Sequence, residues 1–279
     1  DWIHAEEAKI FYNNLVNAGI HVLSPALFRG WAPSGSVRLD LDREVLKPAL
    51  RGGGVYAYRT TEYIRDIGTP ERYEAACRDA AAGIPAAKNI GNPQKAIFLD
   101  RDGVVNVHKG FIKSWRDMEL LPGAARAIAR INRSAYLAVV ITNQPVVARG
   151  DCDMEELARI HQYMEMRLGQ EGAYLDGLLF CPHHPEKGFA GERAEYKVDC
   201  ACRKPKPGML YAAAERYNIK LADSYMVGDS ARDIQAALTA GVRPVYIGEN
   251  APDGVYGAEG CLRYRDLEHC VGDLMGYAG

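Results

Sequence analysis

The chain has 279 residues, a formal net charge of −2, 48% hydrophobic and 25% charged residues. This is an ordinary globular balance with enough apolar side chain for a core, and so small a charge argues against nucleic acid or an anionic membrane as the main partner. No stretch approaches the roughly 20 apolar residues of a membrane span, and the opening DWIHAEE has neither the basic nor the apolar part of a signal peptide. A soluble, cytoplasmic protein is expected, and the missing initiator Met suggests a fragment or a processed product.

Residues 1–83 read as one unit. Within it, Val16–Pro25 suggests a strand, and Pro70 is placed to open a helix. Residues 84–94 mix Pro, Gly and Asn without periodicity and read as a linker. Residues 95–279 then alternate apolar runs with helical patterns. Strands are predicted over Lys95–Leu99, Tyr136–Ile141, Asp176–Phe180, Tyr225–Val227 and Pro244–Ile247. Helices are predicted from Pro122 to about Arg133, from an Asp153 N-cap to about Leu168, from Pro207 to about Tyr217, and over Ala231–Ala240 with a stop at Gly241. Continuous apolar strands separated by amphipathic helices imply an α/β, Rossmann-like parallel sheet covered on both faces. Ligands of such sheets sit beyond the carboxyl ends of the strands, where Asp100, Thr142 and Asp229 fall.

Four stretches at those ends carry chemistry. In Phe98–Gly103 (FLDRDG), two carboxylates one residue apart can share a cation, one attacking phosphorus and the other moving a proton; alone, such a pair also fits an ordinary turn. Thr142-Asn143-Gln144 offers a hydroxyl and backbone N–H groups to phosphate oxygens, although a plain turn would look the same. Lys204, just ahead of a helix, can neutralise charge on a transferring group or simply belong to a basic loop. Asp229 can complete an oxygen-rich Mg²⁺ site. Asp233, one turn on, either pairs with Lys204 or complements the helix dipole.

Seven cysteines are present, an odd number. Cys181-Pro-His183 and Cys200-Ala-Cys202 form two short clips. Three thiolates and an imidazole fit a closed tetrahedral Zn²⁺ site, structural because no position is left open. His183 has the matching spacing; His184 is the expected neighbour or substrate-facing group.

The four stretches occur in one order, each on its strand end, and residues 95–250 resemble the haloacid-dehalogenase (HAD) superfamily. The resemblance implies that Asp100 is the nucleophile and a Mg²⁺ ligand. Asp102 would be the general acid/base and would give Mg²⁺ its backbone carbonyl. Thr142 and Lys204 would hold the phosphoryl group, with Asp229 as the remaining Mg²⁺ ligand. Together with Ala148-Arg149-Gly150, the zinc loop makes this part similar to the D-glycero-D-manno-heptose-1,7-bisphosphate phosphatases, with histidinol-phosphate phosphatases as near relatives. That similarity implies a sugar-phosphate pocket lined by Asn106, His108, Lys109, Gly110, Phe111, Asn143, Gln144 and Arg203, the last holding the distal phosphate. Two departures stand out: Pro145-Val146 replaces the usual Ser-Gly, and Ser230 replaces a common Lys.

In residues 1–83, the stretches 16–25 and 64–73 look like the C-terminal third of a sugar-nucleotide nucleotidyltransferase, a small α/β fragment. By resemblance, Asn17 and Gly19 would approach a sugar and Asp66 a metal or phosphate. The glycine-rich nucleotide loop is absent, so nucleotidyl transfer by this chain is not expected. The expected partners are a sugar bisphosphate and the missing part of that domain, with no nucleic acid and no membrane.

Overall fold

The computed structural model describes residues 17–28, 40–250, 255 and 260–276; Val16, from the first nucleotidyltransferase-like stretch, lies outside them. One sheet organises the chain from residue 95 onward. Its strands are β1 (Lys95–Leu99), β2 (Tyr136–Asn143), β3 (Gly177–Cys181), β4 (Tyr225–Gly228), β5 (Arg243–Ile247) and β6 (Leu262–Tyr264), in the order β3-β2-β1-β4-β5-β6. Every neighbouring pair is parallel. The strand order reverses beside β1, which is where doubly wound sheets bind ligands.

Side-chain alternation along the central strands divides the core into two layers. Ile97 and Leu99 of β1 join Ala138 and Val140 of β2 beneath one set of helices: α4 (Ala124–Asn132), α5 (Met154–Gln170) and α8 (Leu267–Leu274). Ala96 and Phe98 join Leu137, Val139 and Ile141 beneath α6 (Gly208–Tyr217) and α7 (Ala231–Ala240). All nine of these strand side chains are fully buried, and each large one contributes ~1.5–3 kcal/mol by leaving water. This double coverage explains why the strands read as continuous apolar runs rather than as alternating ones. The expected N-cap is present, with Asp153 Oδ1 accepting from Glu156 N at 2.7 Å.

Four elements differ from what the sequence predicts. β2 runs on to Asn143 because β3 pairs with it that far, Thr142 opposite Phe180 and Asn143 opposite Cys181. Strand β6 and helix α8 were not anticipated; β6 has only three residues, two of them exposed, too few to show a pattern. The stretch expected to be a free linker contains a short helix, α3 (Ile84–Ala87). It is also anchored to the sheet domain. Lys88 Nζ donates to Asn132 O at 2.9 Å, Asn218 Nδ2 donates to Ile90 O at 2.9 Å, and Gln94 exchanges backbone hydrogen bonds with Asn218 and Lys220.

By their contacts the described residues form two clusters that part near Thr61. From Thr61 onward they cluster with the sheet, including α2 (Pro70–Ala81), which begins at Pro70 with Thr69 as its cap. Asp66 there accepts from Gly68 N at 2.8 Å and pairs with Arg72. The described residues between 17 and 60 form the other cluster, which holds a 3₁₀ turn (Pro25–Phe28), a π-helical turn (Leu41–Leu46) and helix α1 (Lys47–Arg51). Asn17 Oδ1 accepts from Gly19 N at 2.9 Å, a local turn. No helix among the described residues is long and apolar enough to cross a membrane.

Candidate active site

Leu99 pairs with Val140 on one side and Val227 on the other, so β1, β2 and β4 leave the sheet side by side. Asp100 emerges at that rim, its N–H donating to Val227 O at 2.9 Å. Lys204 comes to the same place from the Cys/His loop. Its ammonium lies 2.9 Å from Asp100 Oδ1 and 2.6 Å from Asp233 Oδ1, and donates to Ile141 O at 2.9 Å. The lysine is only 4% exposed. Burial works against its charge, yet the two carboxylates hold it above its ordinary value. Burial pushes Asp100 up to about 7, with Lys204 pulling the other way and Asp233 adding to the rise.

Asp100, Asp229 and Asp233 can each aim a carboxylate oxygen into one space, within 4.8 Å of one another. Asp229 is raised by burial and by Asp233, with His108 and Lys204 opposing. Three acids this close, two of them pushed up, form a hard oxygen donor set that suits a divalent cation. Gly103 makes room for the Asp229 carboxylate: its φ is +84°, and a Cβ there would collide with Asp229 Oδ2. Asp233, left open by the sequence, serves both suggested ends. It pairs with Lys204, and Oδ2 accepts from Ser230 N at 3.1 Å and Ser230 Oγ at 2.6 Å at the start of α7.

Asp102 points elsewhere. Arg101 Nη2 donates to both of its oxygens at 2.9 Å, Asn106 Nδ2 to Oδ1 at 2.9 Å, and Gln144 Nε2 to Oδ2 at 2.9 Å. Burial alone would raise this carboxyl, but the guanidinium and these hydrogen bonds outweigh it and hold Asp102 below the usual range. Its carboxylate is therefore outside the acidic trio, leaving only its backbone carbonyl for the metal role that resemblance gave it.

Among the expected pocket residues, Asn106, Gln144 and Asn143 are engaged by protein groups. Asn106 is fully buried and grips Asp102 and Val107 O. Gln144 bridges Asp102 to Thr142 Oγ1, 2.9 Å from each. Asn143 clasps the Lys204 backbone, donating to its carbonyl at 2.9 Å and accepting from its N–H at 3.0 Å. Arg203 Nη1 donates to His183 O at 3.1 Å. Lys109 pairs with Glu119 at 2.6 Å beside Gly110, and Phe111 is exposed with the Arg149 guanidinium 4.4 Å over its ring. His108 is near enough to Asp229 to act on its charge. Val146, where a small polar pair was expected, is buried against Val147 and Leu157. Two residues escaped the sequence reading altogether, Arg101 and His161. Both are buried, with Arg101 Nη1 3.3 Å from His161 Nε2. The signal for His161 was a lone polar residue on the apolar stripe Leu157, Ile160, Met164, Leu168.

The Cys/His clips converge as their spacing predicts. The three sulfurs of Cys181, Cys200 and Cys202 are 3.2–3.4 Å apart, and His183 Nδ1 is 3.6 Å from Cys181 Sγ and 3.5 Å from Cys202 Sγ. A tetrahedral Zn²⁺ with ordinary bond lengths would require edges of about 3.8 Å between sulfurs and about 3.6 Å from sulfur to nitrogen. The sulfur–nitrogen separations match that ion, whereas the three sulfurs sit closer together than it requires, so the clips converge on one point and would open slightly to hold it. Cys202 directly precedes Arg203-Lys204, so the clip also fixes where the lysine enters the site.

Comparison with known proteins agrees with this geometry. The family described as HAD-hyrolase-like matches residues 201–259. D-glycero-beta-D-manno-heptose-1,7-bisphosphate 7-phosphatase of Vibrio cholerae is 44% identical over 147 residues, 53% of this chain and 77% of that protein. The Escherichia coli K12 protein of the same name is 40% identical, with 53% of this chain and 75% of that one covered. The crystal structure of D,D-heptose 1.7-bisphosphate phosphatase from B. bronchiseptica, complexed with magnesium and phosphate, superposes with a TM-score of 0.57 at 39% identity, covering 66% of this chain and 100% of that one.

Proposed function

The chain belongs to the HAD-like phosphatases and is homologous to the D-glycero-beta-D-manno-heptose-1,7-bisphosphate 7-phosphatases, and on that premise we propose that it hydrolyses the 7-phosphate of D-glycero-D-manno-heptose 1,7-bisphosphate. One observation carries the reading: a buried ammonium, Lys204, set between Asp100 and Asp233 at the rim where Asp229 also arrives. An Asp100 oxygen attacks phosphorus as the bond from phosphorus to the sugar oxygen breaks. Asp102 gives its carboxyl proton to the departing alkoxide. Its resting carboxylate is held low, but an anionic phosphoryl group alongside favours protonation. Asp102 then takes a proton from water as the water oxygen attacks the aspartyl phosphate, releasing inorganic phosphate and restoring Asp100. Thr142 and Lys204 hold the phosphoryl oxygens, while His108, Lys109, Gly110, Phe111 and Arg203 face the sugar and its second phosphate. Mg²⁺, held by Asp100, Asp229 and the Asp102 carbonyl, would offset the repulsion between an anionic nucleophile and an anionic ester.

Cys181, His183, Cys200 and Cys202 would hold a structural Zn²⁺, supported by the donor spacing above. The phosphatase domain is read as 95–279. Residues 1–83 resemble a nucleotidyltransferase in stretches 16–25 and 64–73, and the chemical order supports that reading: a sugar 1-phosphate left by C7 hydrolysis is what a nucleotidyltransferase consumes. Phosphate release from a panel of sugar bisphosphates and histidinol phosphate, with and without Mg²⁺, tests the function. Heptose bisphosphate should be fastest and Mg²⁺-dependent; faster turnover of histidinol phosphate would reverse the assignment.

A further inference from the structure

Arg101 is the largest fully buried side chain in the described structure. A buried guanidinium must be paired, since its desolvation is expensive. Its partners are unusual. Nη2 and Nε grip Asp102, with Nε 3.3 Å from Oδ1, and Nη1 meets His161 Nε2 at 3.3 Å. A guanidinium only donates, so His161 must turn a lone pair toward it. The ring sits on the inward face of α5, tilted against Phe180 with centroids 5.2 Å apart. On the other side, Gln144 carries the connection from Asp102 to Thr142. The result is a continuous line of hydrogen bonds, His161–Arg101–Asp102–Gln144–Thr142, from a core helix to a strand tip.

From this geometry we infer that His161 is a positioning residue for proton transfer: it fixes the Arg101 fork, which fixes the plane of the Asp102 carboxylate, the group that protonates the leaving oxygen. A two-pronged contact from a guanidinium constrains both position and orientation of a carboxylate. Without His161, Nη1 loses its acceptor in a dry site, and the fork can tilt toward other partners. A misaligned acid hurts only substrates whose leaving group needs a proton. A sugar alkoxide does, whereas p-nitrophenolate leaves without help. This inference rests on the phosphatase reading but does not depend on which sugar is cleaved.

The experiment compares kcat/KM, which reports events only up to departure of the alcohol, for the Mg²⁺-loaded wild type, His161→Leu and His161→Gln. Heptose bisphosphate and glycerol phosphate represent alkyl esters, and p-nitrophenyl phosphate the aryl ester. His161→Leu should lose at least about ten-fold more on the alkyl esters than on the aryl ester, part of the roughly hundred-fold or greater effect of a general acid. His161→Gln, whose amide oxygen can accept from Nη1, should recover most of that loss. Arg101→Lys, which keeps the charge but removes the fork, should show the same alkyl-selective deficit even if the leucine variant fails to fold. Equal losses on both ester classes, or none on either, would overturn the inference. If the wild type cleaves glycerol phosphate but not heptose bisphosphate, the substrate assignment fails and the alkyl–aryl comparison still decides this one. If it cleaves no ester, both fail.

Discussion

Replacing Lys204 by Met isolates the charge at the centre of the site. The ammonium has three contacts, two carboxylate oxygens at 2.9 and 2.6 Å and a carbonyl at 2.9 Å. At an effective dielectric near 20, each carboxylate contact carries a gross attraction of roughly 6 kcal/mol. Desolvating the lysine offsets much of this, and removing one member of a buried ionic group typically costs a net ~3–5 kcal/mol. Asp100 is already pushed up to about 7 by burial, with Lys204 as its main restraint, so it rises further in the variant. A carboxyl whose folded pKa is raised loses stability as pH climbs through that value. Metal-free Lys204→Met should therefore melt lower than wild type, and its deficit should widen from pH 6 to pH 8. Loss of a preorganised charge at the transferring group should reduce kcat by ~10²–10³-fold or more. Phosphate-release kinetics with saturating Mg²⁺, and thermal melts across that pH range, check both parts. A folded variant with activity within ten-fold of wild type would refute the central placement of this charge.

Four further outcomes follow from named contacts. Asp100→Asn should abolish turnover while melting curve and zinc content stay close to wild type; residual turnover above about 1% would point to another nucleophile. Cys202→Ser should eliminate bound zinc in elemental analysis and lower Tm by roughly 10 °C or more, and an unchanged Tm would show that the clip is not structural. Gly103→Ala must fit a Cβ against Asp229 at a φ of +84°, so it should weaken Mg²⁺ activation at least ten-fold in a metal titration; wild-type Mg²⁺ dependence would contradict the packing. His161 is depressed to about 3, chiefly by burial, so below about 6.5 the unfolded chain binds a proton that the folded one refuses. Stability should fall by ~1.4 kcal/mol per unit as pH drops through that window, and His161→Gln should flatten this acid limb; an unaltered limb would count against it.

The parts of the site legible in the sequence were those with local signatures. Asp100 and Asp229 each follow a buried apolar strand, and parallel register then carries both to one rim whatever the loops do. The Cys/His clips were legible because two-residue spacing already fixes which donors can converge. Arg101 was not. Neighbouring residues on a strand point to opposite faces, so nothing suggested that Arg101 would clasp Asp102. The turn that allows it depends on Gly103 and on Val105 and Asn106 both donating to Arg101 O at 2.9 and 3.0 Å. The expected pocket residues Asn106, Asn143 and Gln144 share a second cause. Sequence gives the strand end on which an amide sits but not whether its donors face a ligand or a neighbour, and here all three amides are engaged by protein groups.

That engagement explains how a loop with few apolar residues can deliver a lysine into a fully packed rim. Residues 185–198 offer little for a core, and their own short 3₁₀ turn, Ala194–Tyr196, has no buried residue. The loop is instead tied at three points. The Cys/His clip holds its two ends, Cys181 at the tip of β3 and Cys202 ahead of Lys204. The Asn143 amide holds the Lys204 backbone from both sides. Where Gly150 passes Gly191, a Cβ on Gly150 would strike the Gly191 carbonyl, and Arg193 N donates to Ala148 O at 3.1 Å. The converging Cys/His clip and the amide pairs thus take the place of hydrophobic packing in this loop. Strain introduced at the clip or at the clasp should reach the other through Lys204, because that residue follows the clip, is held by the clasp and is ion-paired with Asp100.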